Sequence, residues 1–242
     1  MRRPGESSTR KFRELRRERM RKEWRDVVGI GAIAVASGAW AIVGHGFTQL
    51  LAAMVFGAAI AFFAFAWALG FDAHSLRWVW GAAGEEWTAE ELELLGPEWR
   101  VFHDLPNGRS NLDHVVVGPP GVFLVDSKNL SEPARVDESG LRAGRLRYGG
   151  AGARRAAVQL KEAIETASGR SVWVQSVLCV WGELEGGMAE HDRVLYVPGS
   201  ALCETLSSYT PRMSLAEVER ISAAVRVIAA SGPRSAKAPA QD

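Results

Sequence analysis

Between residues 112 and 129 two apolar, β-branched segments flank a run of turn residues. They read Leu112-Asp113-His114-Val115-Val116-Val117 and Val122-Phe123-Leu124-Val125-Asp126-Ser127-Lys128-Asn129, joined by Gly118-Pro119-Pro120-Gly121. This pattern predicts a β-hairpin. Proline cannot take φ > 0, so the turn is not a tight primed two-residue type, and a one-residue slip would move one acid to the other face. If the hairpin is symmetric about Pro119 and Pro120, Asp113 lies opposite Asp126. Strand alternation then places Lys128 on the face of Asp126, two residues on.

Periodicity assigns the neighbouring elements. A helix is expected over 85–95, with Leu92, Leu94 and Leu95 on its buried side, and a strand over 99–105. A further strand follows an acidic turn at 141–148. Residues 153–167 place Ala157, Leu160 and Ile164 at helical spacing. Residues 171–181 form a strongly apolar strand and 194–197 another. Helices are expected over 200–207 and 214–230, the second with Ser214 as its N-cap. The Ser-, Pro-, Ala- and Lys-containing segment 231–242 lacks periodicity and reads as a disordered tail. These elements make an α/β sandwich, a mixed sheet flanked by helices, over 85–230.

A different pattern precedes them. Residues 27–71 contain no Asp, Glu, Lys or Arg. Two apolar runs, about 27–43 and 50–71, are separated by Gly44-His45-Gly46-Phe47-Thr48-Gln49, and each approaches the roughly 20 residues that span a hydrocarbon core. A signal peptide fits poorly, because the first run starts late, lacks a small-residue cleavage site and is followed at once by a second run. The expected element is a transmembrane helical hairpin, followed by a juxtamembrane linker over 72–84. Residues 1–26 carry eleven Lys and Arg against five acids, whereas the loop between the runs carries no charge. The positive-inside rule then puts both termini in the cytoplasm, on a multi-pass protein of the plasma membrane. The basic segment also suits anionic lipid headgroups.

Charge distribution limits the function classes. The whole chain is +1, and the +6 on residues 1–26 leaves −5 for the rest, so the folded part is no strongly basic nucleic-acid binder. Any DNA contact would rest on a local patch, with Arg142, Arg145, Arg147, Arg154 and Arg155 as candidates. The two cysteines, Cys179 and Cys203, are too few for a disulfide framework.

Two carboxylates and a lysine on one hairpin face suit one divalent metal and the phosphate it polarises. The competing reading is solvated acids near strand ends. His103-Asp104 and His191-Asp192 mimic a metal-binding pair but lack the further ligands such sites need. His114, beside Asp113, is expected on the opposite face as a packing or hydrogen-bonding residue. Gly149-Gly150-Ala151-Gly152 lacks the Lys-Ser/Thr of a phosphate loop.

Gly84-Glu85, Val101-Phe102-His103-Asp104-Leu105, the hairpin residues 112–118 and 121–129, and a later Gln159 together resemble the nuclease-related domain (NERD) family of the PD-(D/E)xK nuclease superfamily, over about 81–181. The resemblance implies a restriction-endonuclease-like fold and a Mg²⁺- or Mn²⁺-dependent hydrolysis of phosphodiester bonds in DNA. It places the helix acid on Glu85, the strand acids on Asp113 and Asp126, the lysine on Lys128 and a supporting glutamine on Gln159. Asp126 stands where the family usually has Glu. Glu85, Asp113 and Asp126, with the Ser127 carbonyl, are the implied metal ligands, and Lys128 the implied cation that steadies water or phosphoryl charge. The alternative is a catalytically silent nucleic-acid-binding or signalling module tethered to the membrane.

Overall fold

The computed structural model of the chain describes residues 46–68, 73–107 and 110–231, with a few isolated positions nearer the N-terminus. The basic segment 1–26, the first apolar run and the tail beyond Ser231 lie almost wholly outside the described residues. The chain divides into two compact units, a smaller one over Ser8–Val79 and a larger one containing Trp80–Asp242.

In the smaller unit, α1 spans Phe47–Ala68, 22 residues without a charged side chain. Phe47, Leu51, Met54, Val55, Phe56, Phe62, Phe63 and Phe65 are all exposed on it. Among the described residues no helix is long and apolar enough to cross a membrane. The expected transmembrane hairpin is therefore not supported, and its first run lies almost wholly outside the described residues.

The larger unit is a mixed α/β fold. Its main sheet has six strands in the order β1-β2-β3-β7-β9-β8. These are β1 (Arg100–Asn107), β2 (Ser110–Gly118), β3 (Gly121–Asn129), β7 (Val174–Trp181), β8 (Ala189–His191) and β9 (Val194–Pro198). The β1-β2-β3 meander is antiparallel, β3-β7-β9 is parallel, and β8 returns antiparallel. Helices α3 (Gly150–Ser168) and α5 (Leu215–Ser231) cover one face through Leu160, Ile164, Ile221 and Val225. The other face packs Leu92 of α2 (Ala73–Leu92) and Leu202 and Leu206 of α4 (Leu202–Ser208). Central strands are buried on both faces, as parallel pairing requires.

Several expectations change. The region 72–84 is not a linker: α2 begins at Ala73 and ends at Leu92, earlier than the expected 85–95. The stripe Ala82, Glu85, Thr88, Ala89 and Leu92 is buried, and this packing outweighs the low helix propensity of Gly81 and Gly84. The strand expected over 141–148 breaks at Gly144, whose φ of +54° turns the chain, into β5 (Gly140–Ala143) and β6 (Leu146–Tyr148). With β4 (Ala134–Asp137) they form a separate three-stranded sheet. Ser214 does begin α5, in a reciprocal cap with Glu217: the Glu217 N–H donates to Ser214 Oγ, and Ser214 N–H donates to Glu217 Oε2 at 2.9 Å.

Candidate functional site

The hairpin has the register expected of a turn centred on Pro119 and Pro120. Gly118 pairs with Gly121 and His114 with Val125, where the paired ladder ends. Asp113 and Asp126 are the next residues outward, and the charge of Asp126 acts on the Asp113 carboxyl. Val115, Val117, Val122 and Leu124 face the α3–α5 core. By alternation Asp113, Asp126 and Lys128 share that face, where the sheet runs past the end of the apolar core.

These side chains hold one another. The Ser127 backbone N–H donates to Asp113 Oδ2 at 2.9 Å. Lys128 Nζ donates to Asp126 Oδ1 at 2.7 Å and lies 3.3 Å from the Ser127 carbonyl oxygen. It also stands 5.6 Å from the centre of the Tyr148 ring on β6, a cation–π arrangement. Burial pushes the Asp113 carboxyl well above its usual range, and the charges of Asp126 and Glu85 push it further, against weaker opposing effects from Lys128 and the Ser127 N–H. Burial alone would lower the Lys128 pKa, but Asp126 and Asp113 outweigh it and raise the value.

Glu85 reaches this neighbourhood from the other sheet face. Its helix is drawn to β3 by close contact: a Cβ at Gly84 would stand 3.0 Å from the Asn129 Cβ, and Asn129 Nδ2 donates to the Trp80 carbonyl at 2.9 Å. One turn further along, Thr88 donates to the Gly84 carbonyl at 2.8 Å. Its hydroxyl also accepts from Ser127 Oγ and Trp181 Nε1, both at 2.8 Å. Thr88 thus ties α2 to β3 and β7. Gln159, on α3, accepts from Asn107 Nδ2 at 3.3 Å, at the far end of β1, rather than bonding an acid of the hairpin.

As expected, His114 points away from the acids. Its Nδ1 lies 2.8 Å from that of His103, its partner across β1 and β2, with the rings edge to face. Burial, then the charge of His103, pushes the His114 pKa down to about 3, so it is neutral at ordinary pH. Asp104 accepts from Asn111 Nδ2 at 2.7 Å and adopts φ +54°. His191 Nε2 contacts the Glu138 carbonyl at 3.1 Å. Among the described residues neither His-Asp dipeptide belongs to a group of three or more His, Cys, Asp and Glu that could hold a metal.

The implied metal meets a mixed reception. Asp113, Asp126 and Glu85 are hard oxygen donors whose mutual repulsion a divalent cation would relieve. Yet among the described residues no group of three or more His, Cys, Asp and Glu is gathered to hold a metal, and Asp126 is engaged by Lys128. The donor chemistry fits, but the expected three-acid cage is not assembled.

The basic patch is also reorganised. Arg154 is occupied by an ion pair with Asp192. Arg135, which the sequence pattern did not single out, pairs across the strands with Arg142, and Arg142 with Arg147, giving three arginines in one row over β4, β5 and β6. Thr88 and Tyr148 had no local signal, because their partners Trp181 and Lys128 are remote in sequence, whereas Arg135 was missed because β4 was not expected as a strand.

Residues 80–181 match the family described as NERD, nuclease-related domain, a stretch that runs from α2 to the end of β7. The match supports a nuclease-like character for this part of the chain. No curated protein and no solved structure matches it.

Proposed function

We propose that this chain is a metal-dependent phosphodiesterase acting on DNA, with a restriction-endonuclease-like domain held at the cytoplasmic face of the plasma membrane. The observation that carries the reading is the shared face of Asp113, Asp126 and Lys128 beyond the apolar core. Asp113, Asp126 and Glu85 would hold Mg²⁺ or Mn²⁺, which when bound polarises the phosphoryl group and acidifies a water. Lys128, held at 2.7 Å from Asp126 Oδ1, would stand beside such a metal as a second positive charge facing the substrate. There it neutralises phosphoryl charge, with the Tyr148 ring limiting its travel. The Ser127 N–H keeps Asp113 aimed at the same place.

The Arg135–Arg142–Arg147 row supports a nucleic-acid substrate. Like charges directly opposite one another on neighbouring strands are unfavourable for folding, and a phosphate backbone lying across them removes that cost. The charge-free stretch 27–71, the basic residues before it and the exposed apolar side chains of α1 support membrane attachment, with anionic lipids meeting the N-terminal basic segment.

The test is cleavage of plasmid and linear DNA by the full chain in detergent, with RNA in parallel, plus and minus Mg²⁺. Cleavage that is lost on chelation and in Lys128→Ala is the expected result. A protein that neither cleaves DNA or RNA nor gains thermal stability from Mg²⁺ or Mn²⁺ fits the second reading, a silent nucleic-acid-binding or signalling module. The Asp126–Lys128 ion pair favours that reading, because it satisfies both groups without a metal.

A further inference from the structure

At the end of the sheet away from Asp113 and Asp126, a cavity of about 410 Å³ opens between the β2–β3 turn, the start of β7, the loop before α5 and the first turns of α5. That size falls within the roughly 300–1,000 Å³ of small-molecule sites. From Val122 in its wall to Asp126 is four residues of β3, about 13 Å of strand, so the cavity is separate from the acids.

Its wall is built rather than incidental. The backbone N–H groups of Arg212 and Met213 both donate to the Pro119 carbonyl at 2.8 Å, which pins the loop to the hairpin turn. Tyr209 packs edge-on against buried Phe123, their ring centres 5.6 Å apart. Trp173 stays 58% exposed at the mouth, an uncommon position for the largest apolar side chain. Arg170, Arg212 and Arg220 line the same space, and among the described residues none of them forms an ion pair. Glu217, the acid of the wall, is committed to capping α5 through the Ser214 N–H and hydroxyl, both at 2.9 Å. The Glu217 charge also acts on Arg170 and Arg220, so it offsets part of theirs, but three arginines against one carboxylate leave the wall net positive, in a chain that is net negative beyond residue 26.

Planar guanidinium forks match phosphate oxygens in pairs, and aromatic faces stack on nucleobases with little regard to sequence. We propose that this cavity binds a nucleoside 5′-phosphate, the phosphate on the three arginines and the base against Trp173 and Tyr209. The same chemistry belongs to a free nucleotide and to the phosphorylated end of a strand. The site does not depend on the acids of the hairpin or on their metal.

Full-length protein in detergent, titrated by calorimetry with deoxyadenosine 5′-monophosphate, deoxyadenosine and inorganic phosphate, tests the site. The nucleotide is expected to bind about tenfold or more tightly than either fragment, and Arg212→Gln and Arg220→Gln each to weaken it about tenfold, the loss of one charge-assisted hydrogen bond. Trp173→Leu weakens the nucleotide but not inorganic phosphate. Melting temperatures identify any variant that fails to fold, and the other arginine variant then reads the same site. An oligonucleotide with a 5′-phosphate binding better than its 5′-hydroxyl form assigns the cavity to strand ends, and equal binding of the two assigns it to free nucleotide. No binding of the nucleotide at millimolar concentration, inorganic phosphate binding as tightly, or affinity unchanged in both arginine variants overturns the proposal.

Discussion

The Thr88 hydroxyl accepts a hydrogen bond from Ser127 Oγ at 2.8 Å, and that contact joins the helix bearing Glu85 to the strand bearing Asp126 and Lys128. Ser127 points to the α2 side of the sheet while its own backbone N–H holds Asp113. A single residue of β3 therefore couples the helix acid to the hairpin acids.

Thr88→Val keeps the shape and removes this junction, leaving the Ser127 hydroxyl and the Trp181 N–H without an acceptor. A loss of about 1–3 kcal/mol in denaturant unfolding is expected. Because Thr88 positions Glu85, Mg²⁺ affinity should weaken as well, and Thr88→Ser should restore it. A stability loss with unchanged metal affinity would confine Thr88 to packing.

The raised pKa of Asp113 carries a definite sign. Its folded value lies above the unfolded 3.8, so its favourable contribution is present below that pH and is lost as pH rises through the folded value. Burial of the Asp113 carboxyl thus works against folding as the pH rises. Asp113→Asn should abolish metal-dependent cleavage while raising the melting temperature in chelator, since an amide oxygen still accepts from the Ser127 N–H. A variant that melts lower at pH 7 contradicts this.

The His103–His114 pair acts in the opposite pH direction. His103 is also lowered by burial, against a smaller raising effect from Glu93. With His114 depressed from 6.5 to about 3, the pair's contribution is full above pH 6.5 and is lost progressively as pH falls toward 3. Losses on the order of a few kcal/mol by pH 4 are expected, at about 1.4 kcal/mol per pKa unit. Protonation of Asp113 offsets part of this, so the comparison is with His114→Leu, whose stability should fall less between pH 7 and pH 4. Parallel curves for the two proteins would exclude the histidines as the cause.

Membrane attachment predicts that the chain sediments with membranes and resists extraction by high salt, with reporter fusions after Asp242 active only in the cytoplasm. Release by salt alone would leave only electrostatic attachment through the basic segment. A C-terminal reporter active only outside the cell would reverse the topology.

Local chemistry was enough for the hairpin, α3 and α5. Period-2 alternation and the Pro119-Pro120 turn set the register that pairs His114 with Val125 and brings Asp113 and Asp126 just beyond it, and Ser214 with Glu217 marks the start of α5 three residues apart. These signals lie within one element or one turn, where sequence spacing and distance in space are the same thing. The start of α2 was not legible, because Gly81 and Gly84 are poor helix formers, and the close approach of Gly84 to Asn129 on β3 is a contact between distant segments.

What surrounds the acids comes from long-range packing. Thr88 meets Trp181 across 93 residues, and Tyr148 reaches Lys128 only because β5 and β6 fold into a second sheet. The same sheet turns three separated arginines into a row, and the return of α5 brings Arg220 to the cavity that Arg170 and Trp173 line. Which residue types could do the chemistry, and on which strand face they stand, was already legible in the chain, since alternation is a property of the backbone. Their partners, burial and pKa values depend on contacts between distant segments, which exist only once the sheet and its helices have closed around one another.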